Sequence, residues 1–199
     1  MSDSAPITAI CPGTYDPVTN GHLDIITRAA GIFDRVVVGV VRDPQHKKAM
    51  FPVEERVQFL RDALADCDNV EVEVFAELVV EFARQWGATT MVKGLRAISD
   101  FEWEFQMHNL NRNLAPEIET MYLMSSTQYS FLSSSGVKEV ASFGGDVHEC
   151  GYLVRWRASS SCKRPATPSG TRSSMWPPNV ASSLTPLELR KLYWGLAIR

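Results

Sequence analysis

Ile7-Thr-Ala-Ile-Cys-Pro-Gly-Thr-Tyr-Asp-Pro-Val-Thr-Asn-Gly-His22 is the stretch that decides the fold. It opens on a short apolar run at 7–12, passes through turn-forming residues, and enters a helical apolar pattern at 21–33. Strand, glycine turn and helix in that order begin a βαβ unit, and 36–41 supplies its second strand as a continuous β-branched run. Working outward, Pro52 with Glu54 and Glu55 opens a helix over 52–65. A third strand is predicted at 70–75, a helix at 78–86 closed by Gly87, and a fourth strand at 89–92. A helix at 100–113, a fifth strand at 119–124 and a helix at 134–143 ended by Gly144-Gly145 complete the pattern. The alternation predicts a doubly wound α/β fold: a mostly parallel five-stranded sheet with helices on both faces. Such sheets bind ligands beyond the carboxyl ends of their strands, where the strand order switches.

The polar and basic residues of interest fall at that edge. Gly13 permits a tight turn after the first strand, and Thr14 places a hydroxyl there. Gly21 opens a helix whose first N–H groups form an anion site. His22 in its first turn can donate an imidazole N–H to a phosphate oxygen or, with an ordinary pKa near 6.5, act as a partly charged stabiliser. Lys47 and Lys48 follow the second strand, and as a bare pair they also fit a solvated surface. Lys93-Gly-Leu-Arg96 follows the fourth, with Gly94 allowing close backbone approach; Arg96 otherwise pairs with Glu102 or Glu104. Trp103 and Phe105 read as packing residues. Ser133, Ser134 and Ser135 precede the last helix and offer hydroxyls and free N–H groups.

Several of these segments, in order, resemble the phosphopantetheine adenylyltransferase family. They are Thr19-Asn-Gly-His22, which fills the (H/T)xGH pattern of the wider nucleotidyltransferase superfamily, Met50-Phe51 with Glu54-Glu55-Arg56, Lys93-Gly-Leu-Arg-Ala97, Asp100-Phe-Glu-Trp-Glu104 and Tyr129-Ser-Phe-Leu-Ser-Ser-Ser135. The resemblance spans 7–147 and implies a Rossmann-like fold that transfers an adenylyl group from ATP to 4′-phosphopantetheine in coenzyme A biosynthesis. It implies His22, Thr14, Lys47 and Arg96 as catalytic residues. ATP would meet Thr14, Tyr15, His22, Gly94, Leu95, Arg96, Glu104, Tyr129, Ser130, Phe131, Leu132, Ser133, Ser134 and Ser135. The acceptor would meet Thr14, Lys47, Val79 and Lys93. It further implies Mg²⁺ bound mainly through ATP phosphates, and a homohexamer. A cytidylyltransferase of the same superfamily and a catalytically idle nucleotide binder are the rival readings.

Composition narrows the partners. The chain of 199 residues is 45% hydrophobic and 22% charged, as soluble globular proteins are. Residues 1–147 hold 12 basic and 21 acidic residues, a poor composition for a nucleic-acid binder. No apolar run is long enough to span a bilayer, the first residues do not read as a secretory signal, and the four cysteines form no CxxC pair. A cytoplasmic enzyme without membrane or nucleic-acid partners is the expectation. After Val147 patterning stops: 148–199 hold eight Lys/Arg, two Asp/Glu, eight Ser, five Pro and three of the five Trp. Residues 1–147 are therefore expected to be the catalytic domain and 148–199 an atypical tail. Translation in a shifted frame, vector-derived sequence and a lineage-specific extension all fit that tail, whose 157–182 reads as irregular and 186–199 as a short helix.

Overall fold

The computed structural model describes residues 6–44 and 48–150. They belong to one compact unit, 1–160; the second unit, 161–199, lies outside the described residues, as do Lys47 and the readings made for 157–182 and 186–199.

Five strands form one sheet: β1 (Thr8–Gly13), β2 (Arg35–Val41), β3 (Val70–Phe75), β4 (Thr90–Leu95) and β5 (Glu119–Met124). They lie in the order β3-β2-β1-β4-β5, and every neighbouring pair is parallel. Parallel neighbours require crossovers, supplied by α1 (Asn20–Ala30), α2 (Val53–Ala63), α3 (Val79–Gln85) and α4 (Ile98–Leu114), with α5 (Ser134–Ser142) following β5. The order reverses between β1 and β4, so the two strands that bear the glycine turn and the Lys-Gly-Leu-Arg segment lie side by side at the switch point.

The β-branched run of β2 is buried as its composition predicts. Val36, Val38 and Val40 face a cluster with Ile26, Ala29, Phe59 and Leu60, while Val37 faces Phe82, Val80 and Met91 on the other side. Gly39 has a packing reason: a Cβ there would lie 2.6 Å from the Phe82 ring, itself stacked on Phe75 at 4.7 Å. Gly87 ends α3 at φ 61°, the left-handed conformation expected of a C′ glycine.

Three expectations change. Pro52 is the N-cap of α2 and not its first turn. β4 runs on to Leu95, because Lys93, Gly94 and Leu95 pair with Tyr122, Leu123 and Met124 of β5; the Lys-Gly-Leu segment is strand, not the loop after it. Trp103 and Phe105 do not pack in a core: they are 59% and 51% exposed, and α4 buries none of its residues. Phe101 and Phe105 stack on each other at 5.8 Å along this open helix.

Candidate functional site

A cleft of about 560 Å³ opens at the carboxyl ends of β1 and β4. Thr14, Tyr15, His22, Lys93, Gly94, Arg96, Glu104, Leu132, Ser133, Ser134 and Ser135 all line it, so most of the residues singled out in sequence converge. Leu95, Tyr129, Ser130 and Phe131 are not among the lining residues; Leu95 is buried at the end of β4, Thr127–Tyr129 is a short 3-10 turn, the Ser130 hydroxyl donates to the Thr127 carbonyl, and Phe131 is 77% exposed. Val79 is also absent from the lining and packs beside the Phe75–Phe82 cluster.

The turn after β1 builds the floor. Tyr15 is held at φ 52°, a left-handed conformation that costs a bulky residue energy and persists only where its surroundings impose it. Its buried hydroxyl donates to the Cys11 carbonyl at 2.9 Å, and its ring lies under Gly13, where a Cβ would come within 2.9 Å of it. Tyr15 also meets the His22 imidazole edge-on at 5.2 Å. Burial, then the nearby Arg96 guanidinium, pushes His22 down to about 4. The ring is therefore neutral at pH 7, which removes the partly charged role and leaves hydrogen-bond donation. Cys11, also in the cleft wall, is driven by burial up to about 12, so its thiol is no nucleophile.

Each cation described in the cleft has a carboxylate partner. Lys93 faces Glu104 at 3.6 Å. Arg96 grips Asp100, Nε to Oδ2 at 3.0 Å and Nη2 to Oδ1 at 3.1 Å, and not Glu102 or Glu104 as the sequence allowed. Its Nη1 donates to the Leu132 carbonyl at 3.1 Å, joining β4's end to the serine segment. Lys138 of α5 pairs with Asp16 at 2.7 Å. Burial alone would raise the Asp16 carboxyl; Lys138 and the Met50 and Phe51 N–H groups outweigh it and hold the pKa below the ordinary carboxylate value.

The serines divide their work. Ser133 caps α5 by accepting from the Gly136 N–H at 3.0 Å, and Ser134 donates to the Pro17 carbonyl at 2.8 Å. Ser135 is exposed at the cleft. Gly94 does not serve ligand approach alone: a Cβ would meet Ile25 Cγ1 of α1 at 2.9 Å, so its bareness lets α1 sit against β4.

Sequence reading missed the framework. Arg56 is 1% exposed and donates to four carbonyls: Thr14 and Val41 from Nη1 and Arg42 from Nη2, each at 2.8 Å, and Phe51 from Nε at 3.1 Å. It pins the ends of β1 and β2 and ties them to Phe51, just before α2. Its signal was a cation on the same helix stripe as Phe59 and Leu60. Asp24 of α1 similarly accepts from the Ser126 N–H and hydroxyl, tying His22's helix to the end of β5. Among the described residues no three His, Cys, Asp or Glu side chains gather to hold a metal.

The cytidylyltransferase-like family pattern matches residues 10–140. The chain is 55% identical over 140 residues to phosphopantetheine adenylyltransferase of Moorella thermoacetica, covering 70% of this chain and 87% of that one. It is 53% identical over 140 residues to the Alkaliphilus metalliredigens protein of that name, with 70% and 88% covered. For the Heliobacterium modesticaldum protein of the same name the figures are 54% over 141 residues, 71% and 83%. A Vibrio parahaemolyticus structure assigned as a candidate nicotinate-nucleotide adenylyltransferase superposes with TM-score 0.57 at 15% identity, covering 76% of this chain and 93% of that one, a likeness of fold. At 53–55% identity over 140–141 residues, covering 83–88% of each of these relatives, the chain belongs to the phosphopantetheine adenylyltransferase family.

Proposed function

We propose that the chain transfers the adenylyl group of ATP reversibly to 4′-phosphopantetheine, giving dephospho-coenzyme A and pyrophosphate. The observation that carries this reading is the convergence of Thr14, His22, Lys93, Arg96 and the start of α5 on one cleft at the strand switch point. An oxygen of the acceptor phosphate forms a bond to the α-phosphorus, and the bond from that phosphorus to the bridging oxygen of pyrophosphate breaks. The nucleophile is already anionic, so no protein nucleophile or strong base is needed, consistent with the neutral Cys11 thiol. Alignment and charge neutralisation remain for the protein to supply. His22 and Arg96 take ATP phosphates, Thr14 stands between donor and acceptor, and Lys93 with Lys47 takes the acceptor phosphate. Glu104 and Asp100 hold Lys93 and Arg96 in place until phosphate competes for them. Ser133, Ser134 and Ser135 present the α5 N-terminus to the triphosphate.

Mg²⁺ belongs to this reading as a companion of the ATP phosphates, since Asp16, Asp100 and Glu104 are each engaged by a cation. When bound it offsets triphosphate charge. A homohexamer in the cytoplasm is part of the same proposal; the apolar side chains left open on α4 and β5, among them Phe101, Trp103, Leu110 and Met124, support assembly. Residues 1–147 form its catalytic domain, with 148–199 a tail outside the chemistry. The test is product analysis by mass spectrometry with ATP or CTP and 4′-phosphopantetheine. Dephospho-coenzyme A from ATP alone supports the reading; a cytidylyl product, or none from either nucleotide, overturns it.

A further inference from the structure

His22 occupies N3 of α1, with Thr19 as the N-cap. In a capping box that position holds a glutamate whose carboxylate accepts the N-cap N–H. Here an imidazole takes the glutamate's place. The Thr19 N–H lies 3.0 Å from His22 Nδ1, and Thr19 Oγ1 lies 2.9 Å from the same nitrogen. Thr19 is 1% exposed, so solvent offers its donors little alternative. A backbone N–H can only donate. Nδ1 must then present its lone pair, and the ring proton of a neutral imidazole must sit on Nε2. Tyr15 closes the other side: its ring packs edge-on against the imidazole, and its own hydroxyl is tied to the Cys11 carbonyl. Turning the ring over would sacrifice the cap bond.

We propose that Thr19 is a positioning residue that locks His22 as the neutral Nε2–H tautomer, making His22 a hydrogen-bond donor to a phosphoryl oxygen and neither a cation nor a proton acceptor. One hydrogen bond thus serves two ends. It caps the helix that carries His22, and it fixes which nitrogen carries the proton. The charged group facing the ring is Arg96, whose guanidinium disfavours an imidazolium. Protonation at Nδ1 would set one N–H against another and break the cap, so imidazolium formation and fraying of the first turn of α1 are a single event. The inference rests on the adenylyl-transfer reading only for the identity of the oxygen that Nε2–H meets.

The test uses the ¹⁵N-labelled full chain at pH 7, its four histidines distinguished by the resonances lost in His22→Gln. A one-bond proton coupling at Nε2 alone is expected. Coupling at Nδ1, or at both nitrogens, would overturn the proposal. In Thr19→Val, which keeps the main-chain N–H and loses only the hydroxyl, the proton should stay on Nε2; its appearance on Nδ1 there would overturn a lock made by the main-chain N–H. Pyrophosphate release adds a chemical readout. Glutamine places an amide nitrogen near Nε2 and asparagine near Nδ1, so His22→Gln should retain at least about tenfold more kcat than His22→Asn, and the reverse order contradicts the lock. The nitrogen spectrum reads the tautomer whatever reaction the chain catalyses, so its failure and that of the adenylyl-transfer reading are separate results.

Discussion

The buried guanidinium of Arg56 donates to the main-chain carbonyl of Thr14 at 2.8 Å, from a helix that begins 39 residues later in the chain. Through that bond and its three companions to Val41, Arg42 and Phe51, α2 sets the position of Thr14 in the cleft and of the chain at 41–42 and 51. A guanidinium suits this task because its donors spread in a rigid plane toward several acceptors at once.

Arg56→Met should therefore cost stability first. It fills similar volume but leaves four acceptors without their donor, a loss of roughly 3 kcal/mol. Denaturant unfolding should show a lower midpoint with an unchanged slope, and Arg56→Lys should recover only part of it.

Asp16 links the β1 turn to Met50, Phe51 and α5, and its folded pKa is depressed. Its stabilisation is present above the unfolded carboxylate value, about 3.9, and disappears as pH falls through the folded value. Asp16→Asn should be less stable than wild type at pH 7 by about 1–2 kcal/mol. The gap should close as pH is lowered below the unfolded value. A gap independent of pH would show that the Lys138 pairing contributes nothing.

His22 titrates in the opposite sense to the usual histidine pair. Its folded pKa, about 4, lies below the ordinary 6.5, so the unfolded state takes up the proton first. The stability the neutral ring brings is whole above pH 6.5 and is lost as pH falls toward 4, amounting to roughly 3 kcal/mol at about 1.4 kcal/mol per unit. Wild type should lose stability relative to His22→Gln across that window. Between pH 7 and 8 His22 should impose no step on kcat.

Gly94→Ala should push α1 off β4, because the added carbon would sit 2.9 Å from Ile25. A cost of about 1–3 kcal/mol is expected from such overpacking. Since α1 carries His22, kcat should fall as well, and removing the opposing γ carbons with Ile25→Ala in the double variant should restore part of the lost kcat.

The framework was legible where one segment carried its own pattern. The β-branched run of β2 and the apolar stretch of β5 identified their strands directly, and the turn-rich residues before His22 marked the site. The end of β4 was misread because Lys93 and Gly94 look like loop residues, and only pairing with β5 makes them strand. The Asp16–Lys138 pair joins residues 122 apart and leaves no local pattern, and Arg56 shows in sequence only as a cation on an apolar stripe, with nothing to mark the carbonyls it bonds. The imidazole's ordinary pKa was a property of the free side chain, and the shift arises from neighbours that the fold assembles. The open face of α4 hides for a related reason: its aromatics read as core, though within one chain nothing described covers them.

The most direct measurement is the rate of pyrophosphate release from ATP and 4′-phosphopantetheine with Mg²⁺, for the full chain and for His22→Ala. Removing one transition-state donor of this kind should lower kcat about a hundredfold, near 3 kcal/mol, while ATP binding persists. Equal rates for the two proteins, or no release by the full chain with ATP bound, would contradict adenylyl transfer at this cleft.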